Sequence, residues 1–286
     1  MLLSWLASSR LGQHSWRSLV GRTGLIAIKK NLEVSTPIPL DELECNEPRL
    51  IQLSYPRPDP SYALTILGSL KQLGVDGVCF DPTDKIVMVG KGFRNIVVAC
   101  TRRGEIVAAK IRRIDYVDKD AAREAAMLRM ANEVGVGPRL LGSHGSALLM
   151  ELIDGEDLTS WLLRLSENER EEAFRVLSDL LKQSFMLDRA GINHDELSDA
   201  SKHVLRTDRG AVILDFGSAK ITNRPSNLTS IINYLFHGPI RQVSLEILGM
   251  RKPPNESLRR YKSLLSWDAF VEIRGAVMAL RCRSEV

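Results

Sequence analysis

The sequence predicts an α+β chain of two lobes, a strand-rich half followed by a helix-rich half, with a cleft between them. Three observations carry this. Residues 77–109 break into short β-branched runs separated by turn residues, residues 158–189 have the spacing and caps of helices, and two further strand-like runs, 203–206 and 211–214, return after them. The 286 residues, 44% hydrophobic and 26% charged, suffice for a packed core and exclude global disorder, collagen and coiled coil. No run of eighteen apolar residues occurs, so no transmembrane helix is expected. Four scattered cysteines, Cys45, Cys79, Cys100 and Cys282, have no metal-type spacing and are too few for a disulfide framework. A reducing, cytoplasmic setting is the expectation.

Taken in order, residues 1–32 hold five basic side chains and no acid. That composition fits an organellar transit peptide, although a flexible basic extension, drawn to about residue 45, is the favoured reading. Residues 46–76 are expected as a helical appendage. The alternating prolines of Ser54-Tyr-Pro-Arg-Pro-Asp-Pro60 make an extended connector, and Tyr62–Leu73 follows as a helix ending at Gly74. From Gly77 an antiparallel meander is expected through Ile86–Val89, Ile96–Val98 and Ile106–Val107, turning at Arg102-Arg103-Gly104. Ala121–Val134 reads as a helix capped by Asp118 or Asp120 and stopped by Gly135. This first lobe is placed at 77–152 and the second at 153–286.

In the second lobe Leu158–Leu165 is a short helix, and Ser166-x-x-Glu169 is a capping box that opens a long helix to Arg189. A polar loop (193–202) leads into the hairpin 203–214, turning at Asp208-Arg209-Gly210. Helices interrupted by Pro225, Pro239 and Pro253-Pro254 complete the chain.

Four segments carry chemistry. In Gly90-Lys91-Gly92-Phe93-Arg94-Asn95 a G-x-G turn between strands lets backbone approach phosphate oxygens, and Asn95 stands at the third glycine position, where it tolerates left-handed geometry. Taken alone, this segment reads better as a plain hairpin turn. The strand Val107-Ala108-Ala109 closes in Lys110, which needs an anionic partner if buried; Glu124 on the next helix can supply it, and a strand-end lysine reaching solvent reads equally well for the motif alone. Met150-Glu151-Leu152 leads into an acidic turn at Gly155 and suits a hinge whose backbone meets an adenine edge, or equally an ordinary strand–turn–helix. Val212-Ile-Leu-Asp215-Phe216-Gly217 delivers from an apolar strand a carboxylate of the kind Mg²⁺ takes as a ligand; alone the triplet is common by chance, and its order after Lys110 and Glu124 gives it weight.

In this order the motifs resemble the protein-kinase fold over roughly residues 77–236. Closest is an atypical, RIO-related archaeal group of predicted serine/threonine kinases. That likeness rests on Lys110-Ile-Arg-Arg-Ile-Asp115, Ala131-Asn-Glu133 with Gly137-Pro138, Met150-Glu151 with Gly155, and Lys202-His203-Val204. The resemblance implies a bilobal kinase-like fold that takes ATP and Mg²⁺. It implies that Lys110 pairs with Glu124, that Gly90, Lys91 and Gly92 cover the phosphates, that Val97, Ala108, Glu151 and Leu152 border the adenine, and that Asp215 holds the metal. Aligned on His194 and Leu197, the catalytic-loop pattern puts Glu196 in place of the usual Asp and Ser201 in place of the metal-binding Asn. Asp195 is the second choice of base, and His194 is expected to bond backbone near Asp215. Sixty-nine residues follow Gly217 without an A-P-E segment, so no full activation loop is expected.

The expected activity is phosphoryl transfer from ATP to a protein hydroxyl. An ATP-binding switch or ATPase, and a small-molecule phosphotransferase, are the alternatives within the fold. A different class comes from charge. The formal +4 divides into a −5 body over 33–248 and basic ends. Arg251, Lys252, Arg259, Arg260 and Lys262, near Trp267 and Phe270, could contact RNA or a ribonucleoprotein, against the plainer reading of a solvated helix face over core aromatics.

Overall fold

The structure, a computed structural model, describes residues 35–116 and 121–278. The basic segment 1–32, the cap candidates Asp118 and Asp120, and Cys282 lie outside the described residues.

A seven-stranded antiparallel sheet builds the first lobe. Its strands are β1 (Thr36–Pro39), β2 (Gly77–Phe80), β3 (Met88–Lys91), β4 (Asn95–Arg102), β5 (Glu105–Arg112), β6 (Leu140–His144) and β7 (Ala147–Glu151). They run in the order β1-β2-β4-β5-β7-β6, while β3 shares the β4 edge with β2. Period-two alternation gives the sheet two distinct faces. Ile96, Val98 and Cys100 of β4, with Val107, Ala109 and Ile111 of β5, face a core under α1 (Leu40–Glu44), α2 (Glu47–Leu50) and α3 (Pro60–Gln72). The intervening residues, including Val97, Ala108 and Lys110, face the opposite side, toward the second lobe.

The N-terminal boundary needs correction. Residues 36–44, expected in the extension, form β1 and α1. Ile38, Leu40 and Leu43 are buried in the core that the α3 residues Ile66, Leu67 and Leu70 share. Two prolines had masked β1, which is tolerated because it is an edge strand. The meander is likewise altered, since β2 and β3 divide one edge of β4 between them.

The helix α4 (Ala122–Glu133) crosses the inner side of the sheet and buries Ala125, Leu128 and Ala131 in the second lobe's core. That lobe contains β8 (Glu156–Asp157), α5 (Leu158–Leu163), α6 (Arg170–Arg189), β9 (Ile192–Asn193), the hairpin β10 (Val204–Thr207) and β11 (Gly210–Ile213), and β12 (Lys220–Ile221). The helices α7 (Asn227–His237), α8 (Asn255–Leu264) and α9 (Trp267–Val277) follow. The Ser166–Glu169 capping box forms and leads through one tight turn into α6. Buried Trp161, Phe185, Phe216, Tyr234, Tyr261 and Phe270 fill the core. Phe185 stacks on Phe270 with ring centres 4.6 Å apart and touches Trp267. Phe270 is therefore core and cannot stack on a base, in line with the plainer reading of core aromatics; Trp267 stays half exposed. No described helix is long and apolar enough to cross a membrane.

Candidate functional site

A cavity of about 510 Å³ opens between the lobes. The β3–β4 turn roofs it, β5 and α4 form its back, the segment after β7 forms one edge, and residues 196–205 with 214–218 form its floor.

Lys110 lies at its back because β5 alternation points it inward. The side chain is 6% exposed, and its Nζ donates to Glu124 Oε1 at 2.5 Å and to Asp215 Oδ1 at 2.7 Å. Burial works to lower its pKa, but the two carboxylates outweigh that and raise it, so Lys110 is a fixed cation. Burial likewise pushes Asp215 upward, yet Lys110 and the Gly217 N–H hold its carboxyl well below the usual carboxylate range. Arg112 reinforces the charge cluster. Its guanidinium is 4.0 Å from Glu124 Oε2 and donates to Asn95 Oδ1 at 3.0 Å.

Asp215 is presented by backbone that few side chains adopt. It lies in the left-handed region at φ 62°, just after β11, and turns its carboxylate out of the hairpin. Gly217 keeps the approach close, since a Cβ there would stand 3.1 Å from Asp215 Oδ1 and 3.3 Å from Glu124 Oε2, so these carboxylates would have to shift by a few tenths of an ångström. Phe216 anchors the turn by packing its buried ring edge-on to His194.

The β3–β4 turn closes with Gly92 N–H bonded to Asn95 O at 2.8 Å. Neither Gly90 nor Gly92 has positive φ, and Asn95 is the first residue of β4, so the left-handed conformation expected for Asn95 is not adopted. Its amide instead accepts from Arg112. Arg113 braces the turn by donating to Gly92 O at 3.2 Å while forking onto Asp115.

Of the residues singled out from sequence, Gly90, Lys91, Gly92, Val97, Ala108, Lys110, Glu124, Glu151, Leu152, Glu196, Ser201 and Asp215 all line this one cavity. Asp195 does not. At φ 66° its carboxylate turns to Lys220 Nζ at 2.8 Å and accepts from Asn193 Nδ2. His194 bonds Leu214 O at 2.8 Å, as expected, and burial lowers its pKa, leaving it neutral. Ser201 reaches the cavity, but its hydroxyl donates to Asp199, which also pairs with Lys202 at 2.6 Å.

Two groups escaped the sequence reading. His203 lines the floor with Nε2 3.7 Å from Glu196 Oε2, and its Nδ1 has no hydrogen-bond partner among the described residues. Asp199 organises both Ser201 and Lys202. The phrase Lys202-His203-Val204 was the available signal for the first. For Asp199, whose place depends on the kink in its own loop, no signal existed.

The cavity can hold a polyanion against a buried ammonium, with a carboxylate on each side. Asp215, whose side chain is 44% exposed, suits a hard divalent cation that completes its shell with phosphate oxygens, since Mg²⁺ takes one or two protein carboxylates. A bilobal fold with a Lys–Glu pair and an Asp-Phe-Gly turn in the cleft defines the protein-kinase-like class. Residues 92–232 match the RIO domain family. A second similarity is to the uncharacterized protein MJ1211 of Methanocaldococcus jannaschii, 34% identical over 120 residues, which are 40% of this chain and all of that protein. Among solved structures the chain is similar to the kinase domain of PF14_0431 at 18% identity and a TM-score of 0.39, over 48% of this chain and 51% of that one. The chain thus spans about half the length of that structure. It belongs to the RIO domain family of atypical, kinase-like proteins.

Proposed function

We propose that the chain transfers the γ-phosphoryl group of ATP to a serine or threonine hydroxyl of a protein, with Mg²⁺ as the metal. The observation that carries this reading is Lys110, buried and held between Glu124 and Asp215 at the back of the inter-lobe cavity. Val97 and Ala108 offer apolar surface to the adenine, and the Glu151 carbonyl with the Leu152 backbone offers hydrogen bonds to its edge, the Glu151 N–H being bonded to Arg139 O. Lys110 orients the phosphates, and the β3–β4 turn covers them with backbone at Gly90, Lys91 and Gly92. A cation at Asp215 would neutralise phosphate charge, with Ser201 as a weaker oxygen ligand. Glu196 accepts the proton of the attacking hydroxyl as the new O–P bond forms and the bond to ADP breaks. Its extra methylene alters reach and not chemistry, because this transfer depends mainly on positioning and charge stabilisation.

Incubation with γ-labelled ATP and Mg²⁺ tests the proposal. Label should enter the protein or a generic acceptor, and D215A should abolish it. Label that persists in that variant overturns the assignment.

One observation favours a second reading, an ATP-binding switch or ATPase. Glu196 and Ser201 stand where the kinase pattern has Asp and Asn, and a serine hydroxyl is a weaker metal ligand than the usual residue there. On that reading Mg·ATP raises the melting temperature by mass action while no phosphate reaches protein. RNA contact through the C-terminal basic residues is left with Trp267 as its exposed aromatic.

A further inference from the structure

Asp188, at the end of α6, is fully buried and forms no ion pair among the described residues, yet it accepts four hydrogen bonds. Oδ1 accepts from the backbone N–H and the side-chain Nδ2 of Asn227, both at 2.8 Å. Oδ2 accepts from Leu228 N–H at 3.1 Å and from the Tyr261 hydroxyl at 2.7 Å. Asn227 opens α7 and passes the connection on. Its Oδ1 accepts from His194 N–H at 2.9 Å, and its Nδ2 also donates to Ile192 O at 2.6 Å. One residue earlier, Ser226 N–H donates to Asn193 Oδ1 at 2.7 Å. An unbroken chain of buried hydrogen bonds thus runs from Tyr261 on α8 to the backbone two residues before Glu196.

Burying a carboxylate without a cation is costly, and burial indeed pushes the Asp188 carboxyl upward against its four donors. An apolar side chain would escape that cost but leave the donors at Asn227, Leu228 and Tyr261 without this acceptor. What the carboxylate supplies is orientation. By taking the Asn227 Nδ2 it turns the Asn227 oxygen toward His194 N–H, which holds a loop that must present Glu196 at one depth.

We infer that Asp188 is a positioning residue for the loop carrying Glu196, and that Tyr261 couples the C-terminal helices to that loop. The effect on transfer rests on the function proposed above, whereas the ordering of the loop does not.

The test is Y261F in the full chain, read first by hydrogen exchange without nucleotide. Amides of residues 192–197 should exchange on the order of tenfold faster, as expected for losing one hydrogen bond to a charged group in a cooperative network. Amides of β4 and β5 should not change. In phosphoryl transfer, kcat should fall by about the same factor while KM for ATP stays within about twofold. Faster exchange confined to α8 and α9, with residues 192–197 unchanged, overturns the inference. If the wild type transfers no phosphate, the function proposal falls and the exchange result still decides this one. Should Y261F fail to fold, N227S removes the next link and must loosen the same loop amides; unchanged protection there is equally fatal.

Discussion

Lys110→Met should cost stability as well as activity, and the structure sets the size. Removing one partner of a buried ion pair costs about 3–5 kcal/mol, because the remaining charge stays desolvated. Two features bring this cluster to the lower end. Glu124 keeps Arg112 at 4.0 Å, and Asp215, 44% exposed, can turn toward water. The expected loss is therefore about 3 kcal/mol, which moves a urea midpoint by on the order of 1 M. The double variant K110M/E124L removes both members of the buried Lys–Glu pair, leaves the buried Arg112 without its Glu124 contact, and should recover most of the K110M loss. It should bind no Mg·ATP. The assay is urea unfolding followed by circular dichroism, with ATP binding measured by calorimetry on each variant. A K110M protein as stable as wild type, or single losses that merely add in the double variant, would refute the claim that these groups form one coupled buried unit.

Other consequences follow from the same geometry. His194 is buried with its pKa lowered by desolvation, so its contribution is fully present above the ordinary 6.5 and is lost as pH falls through the lowered value. Unfolding free energy should therefore drop between neutral and mildly acidic pH, and H194N should flatten that slope. Gly137 has φ 83° and a Cβ there would stand 2.8 Å from the Phe216 ring. G137A should cost about 1–3 kcal/mol in chemical denaturation and weaken ATP binding by displacing the Asp215 turn. Glu169 closes the α6 capping box with its carboxyl lowered to about 2. Its contribution is present above the ordinary 4.5 and is lost as pH falls toward 2; S166A should cost about 1 kcal/mol by thermal unfolding at neutral pH. Phe185 stacks on Phe270 and touches Trp267, so F185A should cost about 3–5 kcal/mol.

Much of the site was legible because it lies on regular elements. Alternation along β5 fixes that Ala108 and Lys110 share a face. The four-residue spacing from Glu124 to Leu128 along α4 keeps both on the side facing the second lobe. Asp215 was legible because Asp-Phe-Gly, common by chance when alone, follows the glycine turn, Lys110 and Glu124 in order. What stayed hidden depends on backbone that no periodicity governs. The left-handed turn at Asp195 sends its carboxylate to Lys220, and the kink at Asp199 decides which polar groups reach the floor. β1 was illegible for another reason. A four-residue edge strand with two prolines looks like a linker until α1–α3 give its inward side chains a core to enter.

Phosphoryl transfer by E196Q beside D195N, each at saturating Mg·ATP, tests the central claim most directly. The account predicts that E196Q loses on the order of 10²-fold or more in kcat, as removal of a general base should, while D195N retains transfer within about tenfold. Full activity in E196Q, or collapse in D195N alone, would contradict it.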